Sequence, residues 1–290
     1  MTSAISRAIV AWPALIATLA IFGTSAFALI LDGRGISRIG QTAILPRMWK
    51  WLSGINFCFT LIAVLVATAD IAEAPVIAAA AYLPEVLSAT HFGRVSIARA
   101  AFSIILMAAA IGAQASRRRT RLLCFVSAMI LFTQSASSHA YDMGSLTVAI
   151  HFLHQVAAGL WIGALGALAI ASRSDGARGD EFASLALAVS KAAGWSVALI
   201  VATGLLTAYR ALGWSYTQWG YSLYGQTLVA KVSVAAAAIA LGAYHRWKVV
   251  PRVRDGAART ALGRSVAAEL LLIAVILATS AMLAHFPPPH

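Results

Sequence analysis

The stretch Thr133–Gly163, TQSASSHAYDMGSLTVAIHFLHQVAAGLWIG, holds three of the seven histidines in the chain, His139, His151 and His154. Asp142 and Met143 lie between them. Apolar sequence runs away from this polar turn on both sides, as where one hydrophobic helix ends and another begins. His151 and His154 are i and i+3, so on a helix their imidazoles share a face. An apolar helix that opens with two stacked imidazoles is unusual at a membrane surface, and this stretch is the expected functional centre.

Composition explains the apolar flanks. Of 290 residues 60% are hydrophobic and 11% charged, where soluble domains carry roughly 25% charged residues. The chain reads as an all-α polytopic membrane protein set in a lipid bilayer. Apolar runs of roughly 20 residues place eight transmembrane helices at 8–31, 49–69, 95–115, 122–139, 148–171, 192–210, 226–245 and 266–285. The first run is long for a cleaved leader and is read as a span. Ala74–Ser88 is short and carries Pro75 and Pro84, so it reads as a loop helix on the surface. Cys58 falls mid-helix and Cys124 near the surface opposite the histidines, so both are expected as free thiols.

The net charge is +12, but it does not point to nucleic acid. Seventeen basic residues sit in the loops after the first, third, fifth and seventh helices, against only Arg7, Arg94 and Arg210 on the other side. By the positive-inside rule both termini and the histidine stretch then face outward.

An internal repeat is visible. Phe92-Gly93 is followed six residues after the glycine by Arg99, and Tyr224-Gly225 at the same distance by Lys231, an offset of 132. Thr133 and His139 end the fourth helix with the spacing at which Thr279 and His285 end the eighth, an offset of 146. Each repeat holds four helices, 1–140 and 141–290. An even number returns the chain to its starting side, so the repeats are parallel. Matched pairs become candidates for one central site. Gly159, Gly163 and Gly166 suggest close helix packing. Trp12 and Trp161 read as packing or interface residues, and the run from Trp214 to Tyr224 as an aromatic belt. His245 is expected at the interface, and Glu269 paired with Arg264 or Arg259.

The candidate ligands are therefore His139, His151, His154 and His285, with Met143 and Met282 as thioethers. Imidazole and thioether suit a soft ion and leave copper and zinc open. The sequence lacks a GxxxxGK[ST] nucleotide loop, so any transport is passive or coupled to an ion or partner. Nothing in the chain reads as a catalytic constellation, and it is not expected to be an enzyme.

Three segments, HFLHQVAAGLWIGALGAL, TGLLTAYRALG with YGQTLVAKVSV, and GRSVAAELLLIAVILATSAMLAHFPPP, together resemble the copper resistance protein D family of bacterial inner-membrane proteins. THFGRVSIAR resembles a further motif of that family. The resemblance implies eight helices and a periplasmic face that handles copper, as Cu(I) or Cu(II). It also implies a role in moving copper across the inner membrane, so the outward side that the basic residues assign to both termini becomes the periplasm, where a copper-binding protein is the expected partner. Two other functions stay open. One is a haem or redox membrane protein, since four-helix units hold haem through inward histidines. The other is a copper chaperone that serves oxidase assembly without transporting.

Overall fold

The computed structural model describes residues 2–33, 44–112, 116–172, 179–213, 216–252 and 256–286. Among these residues there are ten α-helices and no strand. Eight helices are long: α1 (Thr2–Asp32), α2 (Ile44–Ile71), α4 (His91–Ile111), α5 (Arg117–Ala136), α6 (Ser145–Ser172), α7 (Gly179–Leu212), α9 (Leu223–Tyr244) and α10 (Gly256–Leu283). Two are short, α3 (Leu83–Ala89) and α8 (Tyr216–Tyr221), and they precede α4 and α9. The expected surface loop helix is α3 together with the 3-10 turn Ala79–Tyr82 before it.

Seven of the long helices, all but α5, are both long and apolar enough to cross a bilayer. The sequence predicts an eighth span at 122–139. α5 occupies that place, and its twenty residues reach about 30 Å, the thickness of a hydrocarbon core. Its composition is less apolar, because arginines crowd its first turns and Thr133, Gln134 and Ser135 lie near its end. It stops at Ala136, so His139 sits in the turn beyond it. α7 begins well before the expected 192–210, with Phe182, Leu185 and Val189 buried in its early turns.

α1 and α6 form the centre. α1 packs on α2, α5, α6 and α10, and α6 packs on α1, α5, α7 and α10. Glycine decides how close they come. A β-carbon on Gly23 would lie 1.8 Å from the Gly159 carbonyl oxygen, and one on Gly163 would lie 2.0 Å from that of Gly23. Such small-residue seams let helix backbones meet in lipid, where apolar burial alone does not drive association. Polar pairs add to it. Asn56 Nδ2 donates to Thr18 Oγ1 at 2.7 Å and Trp49 Nε1 donates to Thr24 Oγ1 at 2.9 Å, joining α2 to α1. Trp12 Nε1 donates to the Ala274 carbonyl, joining α1 to α10. Around this core Leu61, Ile104, Leu205 and Leu271 are exposed. That outward surface is costly in water and suits the interior of a bilayer.

Two entries into long helices are built alike. Thr90 caps α4 by accepting from the Gly93 N–H at 2.8 Å, and Ser222 caps α9 by accepting from Gly225 at 2.9 Å. A β-carbon on Gly93 would meet the Val86 oxygen at 2.2 Å, and one on Gly225 would meet the Gln218 oxygen at 2.3 Å. Every one of these pairs is 132 residues apart. Only glycine lets α4 and α9 fold back so tightly on the short helix before them.

Candidate functional site

His151 and His154 lie one turn apart on α6, both half-buried. His154 Nδ1 is 2.9 Å from Thr203 Oγ1 on α7. The Thr203 hydroxyl has one hydrogen, and it goes back to the Leu199 carbonyl at 2.6 Å. The oxygen must then accept from the ring, so Nδ1 carries the proton and Nε2 keeps a free lone pair. Ring packing over Gly204, whose β-carbon would stand 3.5 Å from His154 Cε1, fixes the same orientation. Metal-ligating histidines are held in this way, with the second ring nitrogen donating to a neighbour. His151 follows the same logic more loosely. Its Nδ1 is 3.4 Å from Ser138 Oγ, whose hydrogen goes to the Ser135 carbonyl at 2.8 Å. Lys231 on α9 lies close enough for its charge to act on both rings.

His139 and His285 form a second group. His285 lies two residues past the end of α10. Its pKa is pulled down to about 4, first by burial and then by the positive charges of Arg7, His139 and Arg99. His139 Nδ1 stands 4.0 Å from Asp142 Oδ2, and its Nε2 is buried without a hydrogen-bond partner. Arg7 is itself tied to Asp70 at 2.9 Å. Of the four predicted histidines, His151 and His154 thus share a face of α6, and His285 feels the charge of His139. Met143 lies in the turn ahead of α6, and Met282 lies one turn before His285. Among the described residues no group of three or more His, Cys, Asp or Glu side chains could hold a metal ion.

The turn that carries Met143 is fastened from α7, where Arg210 donates to Thr147 Oγ1 at 2.8 Å and to the Met143 carbonyl at 3.0 Å. Arg99 donates to Thr133 Oγ1 at 3.2 Å, to the Thr133 carbonyl at 2.9 Å and to Ser137 Oγ. His91 has a packing role: its ring stacks on Tyr141 at 3.7 Å and its Nε2 meets the Ala136 carbonyl at 3.0 Å. Cys58 and Cys124 are free, as expected.

Two expectations are corrected at the arginine-rich end. His245 is buried, not interfacial, and Glu269 turns to His245 rather than to Arg264, while the side chain of Arg259 lies outside the described residues. Glu269 Oε2 faces His245 Nδ1 at 3.2 Å, and its Oε1 accepts from Trp161 Nε1 at 3.2 Å. Sequence neighbours suggested arginine partners, whereas the α9–α10 hairpin supplies a histidine. Thr203 and Ser138, which orient the α6 rings, also went unread, since a Thr or Ser in an apolar helix ordinarily bonds its own backbone.

Residues 186–283 match the family model described as copper resistance protein D, and residues 1–146 match that of the copper resistance protein D-like N-terminal domain. Comparison with curated proteins gave no match, and comparison with solved structures gave none either.

Proposed function

Because the chain belongs to the copper resistance protein D family, we propose that its histidine end binds copper and passes it into the membrane. The observation that carries this reading is the pinned His154 ring, which presents Nε2 as a ligand beside His151. Imidazole with thioether suits Cu(I), and imidazole with oxygen suits Cu(II). His139 and His285, with Met143 or Met282, complete the site when the two pairs close together. The unpartnered His139 Nε2 supports that closure.

The same reading gives α5 as the eighth span and makes 1–140 and 141–290 parallel repeats. The matched entries into α4 and α9 support it. So does the packing, in which α1 with α2 and α5 corresponds to α6 with α7 and α10. The asymmetry of basic residues puts both termini and the histidines on the periplasmic side of the inner membrane, where a periplasmic copper-binding protein could deliver the ion.

The test is Cu(I) binding by the purified protein and by His151→Ala, His154→Ala and His285→Ala variants in detergent. Each replacement should weaken binding at least about tenfold, or roughly 1.4 kcal/mol. Unchanged affinity in all three sinks the site. Loss only at His151 and His154 confines it to α6. Copper flux into vesicles then separates transport from simple handover.

A further inference from the structure

Glu269 belongs to none of the machinery above, yet it is a buried carboxyl group in an apolar helix. It is 1% exposed and lies thirteen residues past the start of α10, a helix with a stretch long and apolar enough to cross a bilayer. An ionisable group buried in such a helix marks function by default, with its partner named. Here the partner is His245, 5% exposed. It stands fourteen residues beyond Lys231 on the same helix path, so roughly 21 Å from the histidine end. The two sites are separate.

Local structure is bent to make this contact. α9 gives way at Tyr244 to a π-helical turn over His245–Val249, a wide turn that recurs at functional sites. Gly242 lets the carboxylate lie against α9, since a β-carbon there would stand 3.1 Å from Glu269 Oε1. A cavity of about 160 Å³ opens beside the pair. Most of its lining is apolar, so water in it would be held at Ser190, His245, Arg246 and Glu269. Its lining includes Trp161, Ser190, His245, Arg246, Trp247 and Glu269, and Arg246 and Trp247 reach the surface. The charged or titratable groups on that lining are His245, Arg246 and Glu269. Arg246 is turned aside, donating to the Ser190 carbonyl at 3.0 Å.

The hydrogen bonds accept a proton without leaving any group unpaired. With the imidazole neutral, Nδ1–H donates to the carboxylate and Ser265 O–H donates to Nε2. With the imidazole charged, Nε2–H donates to Ser265 Oγ, whose hydroxyl turns away. Trp161 Nε1–H serves Oε1 in both states. The loaded pair is neutral and the emptied pair carries one buried negative charge, so one proton is the natural occupant.

We propose that Glu269 and His245 form a membrane-buried proton-binding site, which takes up and releases one proton through this cavity at the arginine-rich end. No electron moves, and the proton comes from water. The proposal is independent of copper binding, because it concerns other residues and is tested without metal.

The experiment is infrared difference spectroscopy of the full chain in phosphatidylcholine vesicles. Spectra are compared between about pH 4 and about pH 8, a range that brackets ordinary carboxyl and imidazole values. Beyond the signals of the other acids and histidines, a one-proton component in the carboxyl and imidazole bands is expected. It should vanish in Glu269→Gln, which keeps the Trp161 acceptor, and persist in Glu85→Gln on the exposed α3. In His245→Gln its midpoint should move by at least about one pH unit, a tenfold change in proton affinity. Superimposable spectra for the native chain and Glu269→Gln overturn the proposal. So does an unmoved midpoint in His245→Gln, which stands as the test should Glu269→Gln fail to fold.

Discussion

Arg99 on α4 and Lys231 on α9 follow the same glycine at the same distance, behind the same kind of cap, and do different work. Arg99 spends its planar fork on α5, donating to two atoms of Thr133 and to Ser137. Lys231 makes no hydrogen bond or ion pair among the described residues and stands beside His151 and His154. The threonine at the corresponding place on α10, Thr279, only bonds back to its own helix. A five-donor guanidinium clamps two helices, whereas an ammonium is a compact charge that can stay mobile. The arginine-rich end repeats the contrast. Leu123 on α5 is fully buried among Leu106, Val126 and Ile130. Glu269, 146 residues later, is buried against His245. If the proposed repeats share one frame, α1–α5 use it as scaffold and α6–α10 as the setting for chemistry.

The seam between the two sections is where that comparison breaks most completely. Gly163→Leu would drive a side chain into the Gly23 carbonyl, which lies 2.0 Å from the β-carbon position. It should destabilise the protein by about 4 kcal/mol or more, read by denaturant unfolding in detergent. Gly166→Ala, whose β-carbon would meet only Thr24 Cγ2 at 3.5 Å, should change stability little. Equal losses at both positions would mean that the seam does not hold the sections together.

Next come the two cations. Arg99→Ala removes three charge-assisted hydrogen bonds and should cost about 2 kcal/mol, discounted for partial exposure. Lys231→Ala should stay within about 0.5 kcal/mol. The same unfolding measurement decides it. A larger loss at Lys231 would reverse the roles assigned here.

Much of this architecture was legible as pattern. Apolar runs located the long helices because the bilayer demands length and apolarity together. α5 was the hard case, since its arginines dilute an otherwise apolar stretch. The matched entries into α4 and α9 were legible because a cap, a glycine and a cation at fixed spacing are local features. The pairing of Glu269 with His245 was not. It joins residues on two helices, and a lone glutamate in an apolar helix gives no sign of which neighbour will meet it. The placing of His139 and His285 was hidden for a similar reason. Spacing puts His151 and His154 on one face, but only packing decides how far His139 and His285 stand from them.

The smallest effect is the most discriminating. Thr203 touches the proposed copper site only through His154, by accepting the Nδ1 proton at 2.9 Å. Valine matches threonine in shape and removes that acceptor. Thr203→Val frees the ring to rotate or to take the other tautomer, and the lone pair on Nε2 is then no longer kept free. Copper affinity should fall about tenfold, the lower bound for a group that orients a ligand, and no further than in His154→Ala. Thr203→Ser keeps the oxygen and should bind as the native chain does. Thr133→Val is the matching change in the other section. It takes one acceptor from Arg99 and should cost stability while leaving copper affinity alone. The checks are Cu(I) competition titrations of the three variants beside unfolding curves. If Thr203→Val binds copper like the native chain while His154→Ala does not, the His154 ring is oriented by its packing over Gly204 alone. If Thr133→Val weakens copper binding as much as Thr203→Val, the division between scaffold and site fails.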